Sequence, residues 1–333
     1  MEGAIELYCP ILKNITCSKI YNSFADNVTL HLIFITGIIF AVCGNLALII
    51  SILHFTQLHT PSNVLILSMA FCDFLIGVFN MPVHFLEITE VCWYKSSLFC
   101  FSHQFTYVSL TNISVYHLLL LAGDRYYAVC YPLFYSMKVT FKVIWILVAI
   151  VWSFSILYVF FSMYFVASLL SNAYGTEYRV NVLFIFSLYD YLVSFFLPFV
   201  IIFGLYAKIF TVARRHVKAI QGLAAERESG EQRKNNRFLR KQHKAAKTIS
   251  IVIFIFILSW FPAYLYSFLG SFNLIFFFKK TYNILIEIGL LNSALNPIIY
   301  GFFYPWFWKA FKILVTCRIF WPESSTSNLF SKQ

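Results

Sequence analysis

The chain has 333 residues and a net charge of +11, yet only 12% of its residues are charged while 60% are hydrophobic and 20% aromatic. With a mean hydropathy of +0.75 it lies far from a soluble globular average, which excludes a soluble enzyme or a free nucleic-acid-binding protein and points to an integral membrane protein.

The first 30 residues are polar and carry the sequons Asn14-Ile-Thr16 and Asn27-Val-Thr29, so Asn14 and Asn27 are expected to be glycosylated on the outer side. Glu2 and Glu6 stand where a signal peptide would be basic, so no cleaved signal is expected and the first span is read as an uncleaved signal anchor. Apolar runs of spanning length follow at 31–53, 64–86, 104–123, 143–166, 181–207, 248–271 and 281–303. The expected fold is all-α: a seven-transmembrane helix bundle over 31–303, after an extracellular segment 1–30. Residues 304–333 form a cytoplasmic tail that opens with a short amphipathic eighth helix.

Six of the 25 basic residues, Lys13, Lys19, Lys95, Arg179, Lys279 and Lys280, fall on one side if the N-terminus is outside. The rest lie on the other side, which sets an extracellular N-terminus by the positive-inside rule. Much of the positive charge sits in one inner loop, 208–247, opposed by Glu226, Glu228 and Glu231; it reads as a solvated, lipid-facing loop, and no nucleic-acid partner is expected. Of eight cysteines, Cys9, Cys17, Cys92 and Cys100 are extracellular in this topology. At least one bridge is expected among them, with three full pairings open. Cys43 and Cys72 read as small apolar packing groups. The aromatic and basic run Pro305–Lys312 is too short to span and lies on the inner leaflet, with Cys317 beyond it as a palmitoylation candidate.

Polar groups inside lipid require a partner or a role. Asn45, Asp73, Asn292, Ser293 and Asn296 fall near mid-depth in spans one, two and seven, with Asp73 marking a cation or water site. Asp190 and Glu287 complete the acids well inside spans. Asp190 lies where a ligand entering from outside reaches it, and an unpaired carboxylate there calls for a cationic ligand. Glu287 is a second anionic contact or a vestibule residue, and with both acids available a diamine is clamped at two ends. Tyr107 and Arg125 lie on one face of span three, about five turns and roughly 27 Å apart, so one helix links an outer site to an inner one. Pro82, Pro198, Pro262 and Pro297 kink their helices, and Trp260 and Phe256 are placed to move with the kink at Pro262.

Gly44-Asn45, Asp73, Asp124-Arg125-Tyr126, Trp152, Pro198 with Tyr206, Trp260-Phe261-Pro262 and Asn296-Pro297-Ile298-Ile299-Tyr300 occur in this order, one set per span. Together they resemble a rhodopsin-like G-protein-coupled receptor. The run Asn292 to Phe307 resembles the fingerprint of the trace amine-associated receptors, a family of mostly olfactory amine receptors. That resemblance implies a sodium and water pocket at Asp73, Ser114, Asn292 and Ser293, sodium being the one ion expected and no other cofactor. It implies that Arg125, Tyr206 and Tyr300 rearrange as span six swings outward, with Asp124 and Tyr126 beside Arg125 and Leu133 meeting the G protein. The partner implied is a heterotrimeric stimulatory G protein of olfactory type that raises cyclic AMP, at a plasma membrane.

The departures from the family pattern matter equally. Tyr107 stands where amine receptors carry an aspartate, and the nearest equivalent acid is Asp190, a pattern that resembles a group known chiefly from fishes. The loop 167–180 contains no cysteine to tie to Cys100. No acid lies near the inner start of span six, where Arg240, Lys241 and Lys244 cluster; Arg125 is then held only by Asp124, and appreciable basal activity is expected. The candidate ligand contacts are Asp190, Tyr107, His103, Trp260, Tyr264 and Glu287, for a small cationic mono- or diamine. The alternative is the same fold with a neutral or peptidic ligand and a structural Asp190. A transporter or membrane enzyme lacks paired broken half-helices or a nucleophile with its base.

Overall fold

The computed structural model describes residues 24–89, 97–171, 185–186, 188–223, 230–272 and 278–330. Seven of its helices are long and apolar enough to cross a membrane: span one, His31–His54; two, Pro61–Leu86; three, Phe101–Cys130; four, Phe141–Leu169; five, Leu188–Arg215; six, Ala246–Gly270; and seven, Thr281–Phe303. All seven expected runs are there, and no strand occurs among the described residues. Their outer faces carry large apolar side chains, Phe161, Phe203 and Phe254 each at about 60% exposure, which suits lipid and not water.

The helices run further than hydropathy alone suggests. The third continues from Ser97 to Cys130, so Asp124-Arg125-Tyr126 lies inside it and not at its exit. Nothing interrupts helix formation until Tyr131-Pro132, where the residue before proline leaves the α region; Pro132 then opens the short helix Pro132–Lys138. The expected inner loop 208–247 is likewise mostly helical, because one helix reaches Leu223 and the next begins at Gly230. Its Lys, Arg, Gln and Glu residues are good helix formers, and no proline breaks the run.

Polar side chains tie the bundle together. Asn45 Nδ2 donates to the Ser293 carbonyl at 3.0 Å, joining spans one and seven. A Cβ on Gly44 would meet Pro297 at 2.7 Å, so those two spans approach too closely for any larger residue. Ser68 Oγ is 2.7 Å from His117 Nε2 and accepts Trp152 Nε1 at 2.9 Å, knotting spans two, three and four around a fully buried histidine.

The eighth helix, Pro305–Val315, lies where it was expected. Trp306, Phe307 and Ala310 are buried on one face, while Trp308 and Val315 stay exposed. Beyond Cys317 the chain turns back onto the loop between spans one and two. The Gln57 side chain donates to the carbonyls of Thr326 and Ser327 at 3.3 and 3.1 Å and accepts the Leu329 amide at 3.2 Å. Leu329 is 2% exposed. Gln57→Ala removes all three bonds without touching a span. Amide hydrogen exchange at 324–330, read by mass spectrometry, is expected to speed up about tenfold or more, since the bonds oppose local opening; unchanged exchange would mean that the contact does not hold the tail.

Candidate functional site

Toward the outer end of the bundle lies a cavity of about 170 Å³ between spans three, five, six and seven, lined among others by Tyr107, Asn112, Asp190, Trp260, Tyr264 and Tyr282. At about 30 Å³ per water this equals roughly six waters, below the usual range for drug-sized ligands, so it suits a small molecule. Four of the expected ligand contacts, Asp190, Tyr107, Trp260 and Tyr264, meet in it. The Trp260 ring stands 6.3 Å from Tyr107 and 6.2 Å from Tyr264, so aromatic faces form much of the wall.

Asp190 is set by an irregular turn. Residues Leu192–Phe196 form a single π-helical turn, which widens the helix and frees a backbone carbonyl; Tyr116 OH donates to that of Val193 at 3.1 Å. The turn carries Ser194, whose hydroxyl donates to Asp190 Oδ1 at 3.0 Å, and Tyr158 OH from span four donates to the same oxygen at 3.0 Å. Both donors are neutral, so they orient the carboxylate without cancelling its charge.

Glu287 and His103 sit differently. Glu287 is 2% exposed, and its Oε1 lies 2.6 Å from Nδ1 of His84 on span two. It does not line the cavity, though its neighbour Ile286 does. His103 is buried and packs its ring 6.5 Å from Tyr107. His84, Tyr158 and Ser194 went unnoticed in the sequence because each is an ordinary residue whose role depends on a partner on another helix. Asn112 is 1% exposed, lines the cavity, and has a side-chain nitrogen with no hydrogen-bond partner among the described residues.

Below the cavity Asp73 accepts Ser293 Oγ at 2.8 Å and Asn296 Nδ2 at 2.7 Å. Ser114 lies 3.4 Å from the Cys72 sulfur, and Asn292 is buried. The carboxamide oxygens of Asn45 and Asn296 are buried and accept no hydrogen bond. A single carboxylate with hydroxyl and amide oxygens is a donor set that fits a hard monovalent cation or water. No group of three His, Cys, Asp or Glu that could hold a metal occurs among the described residues.

At the inner end Arg125 and Asp124 are each 6% exposed and paired with one another. Arg125 Nη2 also donates to Ser62 Oγ at 2.7 Å, and Tyr135 OH donates to Asp124 Oδ1 at 2.7 Å. The expectation that Asp124 alone holds Arg125 is therefore corrected: Thr60 caps span two at its start, which places Ser62 against the pair. Burial first, then the Asp124 charge, pushes the Tyr135 phenol up to about 12. The native state thus favours the protonated phenol. Its stabilisation is complete below the ordinary tyrosine value of 10 and is lost as pH rises toward 12.

Tyr300 is 2% exposed, Tyr206 and Tyr126 are half-buried, and Leu133 is 77% exposed on the helix Pro132–Lys138. Cys317 is exposed. Asn14, Cys9, Cys17 and Cys92 lie outside the described residues, as do the side chains of Asn27 and Cys100.

Trp260 owes its position partly to Gly289, where an added Cβ would meet the indole ring at 2.8 Å. Gly289→Ala overpacks this contact, at a cost of about 1–3 kcal/mol. The unfolding temperature of the detergent-solubilised protein is expected to fall by several degrees in a thermal-shift measurement; an unchanged midpoint would show that Trp260 gives way freely.

Comparison with known proteins agrees with this geometry. Residues 44–300 match the 7 transmembrane receptor (rhodopsin family) model. The chain is 39% identical to trace amine-associated receptor 13c of Danio rerio, covering 97% of this chain and 96% of that protein. It is 38% identical to trace amine-associated receptor 4 of Mus musculus, over 97% and 95% of the two chains. It is also 38% identical to trace amine-associated receptor 6 of Homo sapiens, over 99% and 97%. The chain therefore belongs to the trace amine-associated receptors within the rhodopsin family, and is a multi-pass membrane receptor and not an enzyme.

Proposed function

We propose that the protein is an olfactory-type receptor for small cationic amines, whose ammonium pairs with Asp190 on span five, and that it signals through a stimulatory G protein to raise cyclic AMP. The observation that carries this reading is a cavity-lining carboxylate whose hydrogen-bond partners, Tyr158 and Ser194, are neutral. Among the described residues the two ion pairs are His84–Glu287 and Arg125–Asp124, neither involving Asp190. Opposite charges about 4 Å apart attract by about 4 kcal/mol at an effective dielectric near 20, before desolvation is subtracted. Tyr107, Trp260 and Tyr264 offer ring faces to the same cation, and the relatives are named for trace amines.

A second reading keeps the fold and makes Asp190 structural, serving a neutral or peptidic ligand. The two hydroxyls on Oδ1 favour it, since they already anchor the carboxylate. Cyclic AMP in cells expressing wild type and Asp190→Asn, across a panel of amines with surface expression checked, separates the two. The expected result is a loss of potency of about a hundredfold, ~2.8 kcal/mol, at preserved expression and basal signal. An equal response in both would move the ammonium elsewhere, and silence in both would remove the amine reading.

On the inner side, outward movement of span six releases Arg125 to rearrange with Tyr206 and Tyr300, and Leu133 contacts the G protein. The Arg125 lock includes Asp124 and Ser62, with Tyr135 bonded to Asp124, and span six, 246–270, carries no acid, so basal activity is appreciable. Tyr135→Phe and Ser62→Ala loosen the lock and raise basal cyclic AMP about twofold or more, consistent with losing about 0.5–1.5 kcal/mol of hydrogen bonding; an unchanged basal signal in both would remove the lock. The N-terminus is extracellular at the plasma membrane, with Asn14 and Asn27 glycosylated and a bridge among Cys9, Cys17, Cys92 and Cys100. Asp73, Ser114, Asn292 and Ser293 serve a sodium ion. Cys317, palmitoylated, anchors the tail to membrane lipid beside the eighth helix.

A further inference from the structure

We propose that His84 is a built-in partner that neutralises Glu287, leaving Asp190 as the acid that the described cavity wall offers to a ligand ammonium, so that the receptor prefers monoamines to diamines of matched length. This rests on the reading of Asp190 as the ammonium partner.

Glu287 would otherwise be the natural second anchor. It is on span seven, next in the chain to the cavity-lining Ile286, while Asp190 stands on span five. Its position is nevertheless filled. His84 Nδ1 lies 2.6 Å from Glu287 Oε1, with the two side chains 8% and 3% exposed. The His84 ring packs 6.3 Å from Tyr107, a cavity wall residue. The pair therefore sits one layer behind the wall formed by Tyr107 and Ile286.

Two protonation arrangements are open to such a pair, imidazolium with carboxylate or imidazole with carboxylic acid. Both have zero net charge. A second ammonium reaching this side of the cavity thus finds no net negative charge in either arrangement. It must be desolvated without a counter-ion or lose its proton, and both oppose binding. A single ammonium at Asp190 is unaffected. Asp73, below the cavity, is engaged by Ser293 and Asn296.

His84 acts through Glu287 and is a positioning residue, so its removal should change selectivity and not only potency. His84→Asn leaves a buried carboxylate without its cation, and a diamine can supply the replacement. His84→Lys keeps a cation in place.

The test measures cyclic AMP potency for linear alkylamines and length-matched α,ω-diaminoalkanes on wild type, His84→Asn, His84→Lys and the double variant His84→Asn/Glu287→Gln, with surface expression quantified. On wild type the monoamine is expected to be favoured by about tenfold. In His84→Asn the ratio shifts toward the diamine by about tenfold or more, and both His84→Lys and the double variant restore the wild-type preference. Wild type that takes diamines as well as monoamines overturns the proposal, as does a ratio that His84→Asn leaves unmoved. If His84→Asn fails to reach the surface, the wild-type ratio and the double variant, which has no unpaired carboxylate, decide it. Loss of all amine responses on wild type is a different outcome: it defeats the Asp190 reading itself, and this proposal with it.

Discussion

The cost of holding charge away from water organises this molecule. In a bilayer an ionisable side chain must find a counter-charge, several donors or a ligand, and the spans show each solution at a different depth. Near the outer end, Glu287 is matched by His84. At the inner end, Arg125 is matched by Asp124. Below the outer cavity Asp73 is met by neutral donors from span seven, and in the wall of that cavity Asp190 is met by neutral donors from spans four and five. Two of these acids thus face a basic side chain, and two are met by neutral donors. On the function proposed above, ligand and ion chemistry falls to Asp190 and Asp73, the acids met by neutral donors.

Much of the fold was legible in the sequence, because a spanning helix announces itself by length and hydropathy alone. All seven runs and the eighth helix could be placed without tertiary information. The ends of the helices could not, since hydropathy marks where lipid stops and not where hydrogen bonding stops. The third helix runs on to Cys130 and the sixth begins at Gly230 for that reason.

The site was legible in its acids and less so in their partners. Asp190 follows from the rarity of charge in lipid, while Tyr107, Trp260 and Tyr264 were expected from the family resemblance and the kink at Pro262, and the four meet in one cavity. His84, Tyr158, Ser194, Ser62 and Tyr135 do not follow. No periodicity marks them, and their value lies in contacts with helices far away in the chain. Glu287 shows the consequence: as a lone span acid it looked like a second anchor, but the partner that neutralises it is 203 residues away.

The outer and inner sites are joined by matter that can change arrangement. Below the cavity, Phe256 stands 6.2 Å from Trp260, and Phe199 5.9 Å from Phe256, an aromatic path leading inward beside Pro262. Span seven is broken at Leu291, between helices Lys279–Leu290 and Asn292–Phe303, and Pro297 interrupts its inner half. In the same half the Asn292 amide nitrogen, the Asn296 carboxamide oxygen and the Tyr300 hydroxyl are buried without hydrogen-bond partners. These groups lie beside the break at Leu291 and the proline at Pro297. A ligand at Trp260 need not drive the inner end through a rigid wire. A modest shift of the aromatic path can select another arrangement of span seven about its break and its proline, which is how a population shift uses differential interaction energy. In this view the break at Leu291 and the proline at Pro297 form the joint between the cavity and the Asp124–Arg125 pair.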